Sequence, residues 1–355
     1  MLTRVRSVYD DFKFLASPRK KAFYTGWNGH ANLGDEVLLM AFRELFDQKM
    51  VFYEKGYIGK ALKHLYKGPF DYVFLGGGTL VHRSVNALEA FKTQGRKKIV
   101  FGTGVANPEY WSGIKGSYSN IEGWVKELNK SDYIGVRGPL SKELLTKWGV
   151  AREVKVIGDP ALFFLRSNIT KKKKRKVLGV NAGLTGGMLW GGSDDRFLAA
   201  LSGELKALGK RGWSFKFFPV CPKDIGAIET LMEAVREYGA SCVKNYLDLK
   251  EFMQEMDDVD VFVGEKLHSV ILAMCAHTPG VMLEYRPKCR DFMMSMGLGE
   301  LNIKTDEITG GSISDRVEAL YSRLGPEQER LHERGMFYKK LLISEAESVC
   351  SPAAR

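Results

Sequence analysis

The chain has 355 residues, 45% of them hydrophobic, enough for two cores, and chains of this length usually split into two domains. Five cysteines (Cys221, Cys242, Cys275, Cys289 and Cys350) are scattered, odd in number and without a C-x-x-C pair, which argues against a disulfide framework or a zinc site and for a reducing compartment. A formal charge of +11 asks for an anionic partner, but the sequence has neither an aromatic-basic sheet signature nor zinc-finger spacing, so nucleic acid is not expected.

No apolar run of about 18 uncharged residues is present. Asp10, Asp11 and Lys13 interrupt the apolar stretch a signal peptide would need, so the expected place is the cytoplasm. In chain order, the first strand is expected at 21–26, followed by a glycine loop to Gly34 and a helix over 37–46 that Asp35 or Glu36 opens. Strands follow at 50–53, at 72–75 ending in Gly76-Gly77-Gly78, and at 98–101 ending in Gly102-Thr103-Gly104. A helix at 121–128, a strand at 133–136, a helix at 139–148 and a strand at 154–157 complete a parallel, doubly wound half. The basic run 169–176 reads as a linker between an N-terminal domain, 1–168, and a C-terminal one, 177–355. A membrane surface carrying a lipid-linked acceptor is the other reading of that charge.

The alternation then restarts. Strands are expected at 177–180, 215–220, 242–243, 259–263 and 281–283, and helices at 197–208, 225–238, 249–256 and 269–276. Helices at 314–324 and 328–349 close the structure. The Gly183–Gly192 stretch cannot be a Walker loop, because no Gly-Lys-Ser/Thr follows; it reads as a mobile loop at a cleft or as plain flexibility.

The turn Gly264-Glu265-Lys266-Leu267-His268 carries the clearest chemistry. It puts Lys266 and His268 between a strand and a helix, at the positive end of a helix dipole, where α/β proteins bind anions. Glu284, Tyr285, Arg286 and Lys288 follow the next strand and can converge there. A lone histidine is often structural, but one placed two residues from Lys266 in an anion site favours acid/base work. His30, His82 and His277 are weaker candidates, and His64 and His332 read as surface positions. The glycine clusters either admit a substrate to the sheet edge or form tight turns. Asp35 and Glu36 either favour a helix start or bind acceptor hydroxyls and act as a base. Arg137, after a buried strand, needs an anionic partner, and Asp159 reads as a turn former.

Taken in order, these features resemble the polysaccharide pyruvyl transferases. The resemblance rests on Gly29-x-x-Asn32-x-Gly34-Asp35-Glu36, Gly76-Gly77-Gly78, Gly102-x-Gly104, Arg137-x-x-x-Ser141, Gly158-Asp159-Pro160, the Lys266-Leu267-His268 turn, Pro279, Tyr285-x-x-Lys288 and Phe292 before Gly297. The family usually has Arg where this chain has Lys266. The resemblance implies an α/β, GT-B-like fold: two Rossmann-like doubly wound domains with mostly parallel sheets facing a central cleft, the N-terminal one on the acceptor side and the C-terminal one on the donor side. It implies transfer of pyruvate from phosphoenolpyruvate, as co-substrate and without metal or redox cofactor, to a saccharide as a cyclic ketal. The catalytic set would be His268, Asp35 and Glu36. Lys266, Arg137, Tyr285, Arg286 and Lys288 would bind the donor, and His30, Asn32, Gly34, Gly77, Gly78 and Gly104 the acceptor. A nucleotide-sugar glycosyltransferase and a non-catalytic sugar- or phosphate-binding homologue remain open beside it.

Overall fold

A computed structural model of the chain describes residues 14, 16–46, 49–54, 69–82, 85–112, 120–169 and 175–351. It divides into two compact units. The first takes the described residues up to Gly29, Leu38–Pro160 and those from Leu341 on; the second takes His30–Val37 and Ala161–Lys340. The units therefore part after Pro160, ahead of the basic run expected as linker, and 170–174 of that run lie outside the described residues.

The first unit holds strands β1 (Lys20–Thr25), β2 (Met50–Glu54), β3 (Phe70–Leu75), β4 (Gly78–Val81), β5 (Gly95–Val105), β6 (Tyr133–Val136) and β7 (Lys155–Val156). All pairings are parallel, in the order β2-β1-β3-β5-β6-β7, with β4 beside β5. Its helices are the later part of α1 (Leu33–Phe46), then α2 (Val85–Phe91), α3 (Pro108–Ser112), α4 (Ile121–Leu128) and α5 (Pro139–Lys147). Crossover helices cover the faces of a parallel sheet, so its strands read as apolar runs, such as Val73-Phe74-Leu75 and Ile99-Val100-Phe101. Phe42 and Phe46 of α1 close on Phe74 at ring distances of 5.7 and 4.9 Å.

Two expectations change here. Gly102 and Gly104 lie inside β5 rather than beyond it, and Gly78 opens β4 rather than ending a turn. Glycines carry no side-chain period, so a strand made partly of them leaves no alternation to read.

The second unit holds β8 (Val177–Asn181), β9 (Ser214–Phe217), β10 (Ala240–Cys242), β11 (Val261–Gly264), β12 (Gly280–Glu284) and β13 (Asn302–Lys304), parallel and ordered β10-β9-β8-β11-β12-β13. Helices α6 (Asp194–Lys210), α7 (Ile225–Ala234), α8 (Leu249–Glu255), α9 (Leu267–Cys275), α10 (Pro287–Ser295), α11 (Ser314–Ser322) and most of α12 (Leu324–Cys350) surround it. The strand order reverses between β8 and β11, and ligands of such sheets sit outside the carboxyl ends of the strands at that switch point. No helix among the described residues is long and apolar enough to cross a membrane.

Candidate functional site

The carboxyl ends of β8 and β11 are tied by one buried polar network. Asn181, the last residue of β8, accepts the Lys266 N–H at 3.0 Å on Oδ1, and its Nδ2 donates to the Phe218 carbonyl at 2.8 Å and to Asp224 Oδ2 at 3.2 Å. Asp224 also accepts the N–H groups of Val220 and Cys221, at 2.9 and 3.2 Å. Glu265 is 0% exposed; it takes the Gly183 N–H at 2.6 Å and the Lys266 ammonium at 3.1 Å. Burial pushes the Lys266 ammonium toward neutrality, but Glu265, Tyr285 and Asp224 outweigh it and hold its pKa above the ordinary lysine value. Burial also raises the Cys221 thiol, to about 11, with Asp224 adding to the effect, so Cys221 is not a thiolate nucleophile.

Tyr285, just past β12, is the hub for the cations. Its ring lies 5.0 Å from Lys266 Nζ, 4.9 Å from Arg286 Cζ and 5.0 Å from Lys288 Nζ. Arg286 Nε donates at 3.1 Å to the Met188 carbonyl in the glycine-rich loop. That loop, expected to be mobile, is tied down. The Asp194 carboxylate at the start of α6 accepts from Thr185 N, Thr185 Oγ1 and Gly187 N at 3.1, 2.7 and 3.0 Å. Trp190 Nε1 donates to Glu284 at 3.0 Å, and Thr305 Oγ1 to the Trp190 carbonyl at 2.9 Å.

His268 is the second residue of α9, 7% exposed. The segment His30–Val37 packs in this unit, with Leu33 N–H on the Val220 carbonyl at 2.8 Å. It lays Gly34 against the imidazole so closely that a Cβ there would stand 2.3 Å from His268 Nδ1. Asn32 Oδ1 accepts the Gly34 N–H at 3.0 Å and its carbonyl the Glu36 N–H at 3.1 Å, so Asn32 starts α1 and sets this approach. Asp35 and Glu36 therefore lie inside the first turn of α1 rather than before it. Burial raises the Asp35 carboxyl, His268 and Lys288 pull it back, Glu36 adds to the rise and His30 opposes it.

Asp35, Glu36, His30, Asn32, Gly34, Lys266, His268, Tyr285, Arg286 and Lys288 thus belong to one unit, and Arg137, Gly77, Gly78 and Gly104 to the other. Arg137 is 1% exposed and finds its anionic partner in its own unit, the fully buried Asp159 at 3.6 Å. Its Nη2 also donates to Thr79 Oγ1 at 3.2 Å. Gly104 makes room for that guanidinium, since a Cβ would lie 2.2 Å from Arg137 Nη2, and Gly77 packs on Leu38. Asp159 is thus an ion-pair partner, placed just ahead of the short 3-10 helix Pro160–Phe164. His332 is no simple surface position: its Nδ1 stands 3.1 Å from Nε2 of the buried His277. His64 lies outside the described residues. Sequence reading missed Asn181, Asp224 and Glu265. For Asn181 and Glu265 the local signal is a polar residue at the very end of an apolar strand or just after one; Asp224, at the end of the short 3-10 helix Pro222–Asp224, leaves none.

Two parallel, doubly wound sheets in one chain define the GT-B-like class. Solved structures agree on the fold. S. aureus MnaA bound to UDP has a TM-score of 0.55 at 9% identity, covering 88% of this chain and 91% of that one. UDP-GlcNAc 2-epimerase from Neisseria meningitidis, bound to UDP-GlcNAc, has a TM-score of 0.52 at 10% identity, with 92% and 98% covered. A glycosyltransferase from Rickettsia africae has a TM-score of 0.52 at 9% identity, with 94% and 98% covered. No curated protein matches the chain. The family model described as polysaccharide pyruvyl transferase matches residues 32–287, and the chain belongs to that family. Family membership implies transfer of pyruvyl groups onto polysaccharide.

Proposed function

We propose that this protein takes phosphoenolpyruvate as donor and installs pyruvate on a saccharide as a cyclic ketal, releasing phosphate. The observation that carries the reading is the gathering of Lys266, Arg286 and Lys288 on the Tyr285 ring, in the same unit as His268 and Asp35. Phosphoenolpyruvate presents a phosphate and a carboxylate, and cations at a helix N-terminus suit both. In the first step an acceptor oxygen bonds to the donor's central carbon while the methylene carbon takes a proton and becomes methyl. His268 is the acid that supplies the proton, and Asp35, with its raised carboxyl, takes the proton the hydroxyl gives up. In the second step the neighbouring hydroxyl forms its bond to the same carbon, the carbon–phosphate oxygen bond breaks, and the hydroxyl's proton leaves with phosphate. Glu36, His30, Asn32 and Gly34, in the same segment as Asp35, line the approach of the acceptor. A lipid-linked acceptor and an anionic membrane face belong to the same reading and suit the net charge of +11.

Thermal stabilisation of the full chain by phosphoenolpyruvate, with UDP- and GDP-sugars in parallel, tests it. A concentration-dependent rise in Tm with phosphoenolpyruvate alone is expected. A rise with a nucleotide sugar alone makes the protein a glycosyltransferase, and binding without phosphate release on any acceptor makes it a binding homologue.

A further inference from the structure

We propose that Glu265 is a positioning residue that fixes Lys266 as the cation of the donor site, an assignment that rests on the donor reading above. A lysine is a point charge on a long flexible stem, so its use as an anion clamp depends on what holds the stem. Here both ends are held. The backbone N–H of Lys266 is on Asn181 Oδ1 at 3.0 Å, and its ammonium is on Glu265 Oε1 at 3.1 Å. The other Glu265 oxygen takes the Gly183 N–H at 2.6 Å, which anchors the carboxylate to the start of the glycine-rich loop. Gly183 leaves the space: a Cβ there would lie 2.8 Å from Lys266 Cε and 2.1 Å from Asp224 Oδ1. An ammonium has three donors, so the one spent on Glu265 leaves others for an anion.

The groups around this ammonium come from several elements. Glu265 lies on its own turn, Asp224 after β9, Tyr285 after β12, with Arg286 and Lys288 against that same ring and the Cys221 thiol beside Asp224. Asp224 is shared among Val220 N, Cys221 N and Asn181 Nδ2. Glu265 is the carboxylate hydrogen-bonded to the ammonium itself. Without its charge, burial at this position favours neutral lysine, and the donor site loses a cation as pH rises.

The experiment is titration calorimetry of the full chain with phosphoenolpyruvate and with inorganic phosphate at about pH 8 and about pH 10, for wild type and Glu265→Gln, which keeps the volume and a partner for Gly183. Wild-type affinity is expected to stay within about twofold between the two pH values, and that of Glu265→Gln to fall by about tenfold or more, a decade for each unit by which the lysine drops below the working pH. A Glu265→Gln profile parallel to wild type overturns the proposal, because loss of packing alone does not create a pH dependence. Should that variant not fold, the Lys266 ammonium is followed by NMR in wild type, assigned with Lys266→Arg. An ammonium that persists above the ordinary lysine value of about 10.4 supports the proposal, and one that titrates at or below that value overturns it. If wild type binds neither probe, the donor reading fails, and the NMR titration still decides whether Glu265 fixes the charge.

Discussion

At the scale of single residues, Gly34 and Asp35 make the most exposed claims. A side chain at 34 has nowhere to go: its Cβ would stand 2.3 Å from His268 Nδ1, on a ring whose own helix is buried throughout. Gly34→Ala is therefore expected to displace the imidazole, lowering kcat by about 100-fold, the size of a lost acid/base group, at an overpacking cost of about 1–3 kcal/mol. Steady-state kinetics with urea unfolding check the pair of effects; normal kcat would detach His268 from the chemistry. Asp35 behaves differently. Its raised carboxyl means the folded chain binds that proton more tightly than the unfolded chain does, so keeping it charged costs stability above the raised pKa, and the cost fades as pH falls through it. Asp35→Asn is expected to lower kcat by about 100-fold or more while Tm at neutral pH stays level or rises. A drop in Tm would recast Asp35 as a structural helix-start residue.

At the scale of elements, the glycine-rich loop shows how charge can order a segment that composition alone suggests is loose. Burial by itself raises the Asp194 carboxyl, but its bonds from Thr185, Gly187 and Gly186 outweigh that and hold it below the usual carboxylate range. A lowered carboxyl gives stability that is present above the unfolded pKa and is lost as pH falls through the folded one, so the loop should loosen only in acid. Asp194→Ala should loosen it at neutral pH. The expected readouts are protease cleavage within Gly183–Gly192 at least about tenfold faster, and weaker donor binding because Arg286 loses its anchor on Met188, with overall stability down by about 1–2 kcal/mol. Unchanged cleavage would mean that the loop's other bonds, those of Gly183, Met188 and Trp190, are enough to hold it. The sequence shows the elements whose apolar runs announce them: Val261-Phe262-Val263 and the helix of good formers after it are found close to where the pattern puts them. It hides β13, where Asn302 and Lys304 flank a single apolar residue, and β4, which starts on a glycine. The site was half legible for a related reason. Lys266, His268, Tyr285 and Lys288 sit in one ordered motif, whereas Asn181 and Asp224 matter through bonds that join separate segments, Glu265 through its bonds to Lys266 and Gly183, and the Arg137–Asp159 pair joins positions that no local pattern connects.

At the scale of the whole molecule, the division into units is not the division of the chain. The last residues, from Leu341 on, cluster with the first sheet although the chain reaches them through the second unit. Leu342, Ala346 and Val349 are at most 6% exposed. Glu345 pairs with Lys155 at 3.0 Å, and Lys97 Nζ donates to the Val349 and Ser351 carbonyls at 3.2 and 3.3 Å, placing a cation at the negative end of α12. Burying a Leu and a Val side chain is worth about 1.5–3 kcal/mol each, so this end contributes on the order of 5 kcal/mol, comparable with the lower range of a whole domain's stability. A chain ended after Lys340 is therefore expected to lose hydrogen-exchange protection in β1, β3 and β5 by about 100-fold or more, while amides of β8 and β11 keep theirs. Equal loss in both sheets would show that the units unfold as one. No loss in either would reduce the end of α12 to a surface strut. The expected outcome makes the C-terminal segment a part of the first unit's core, so a domain cut in the basic run 169–176 would leave that core unfinished, and each half of this enzyme has to be studied in the full chain.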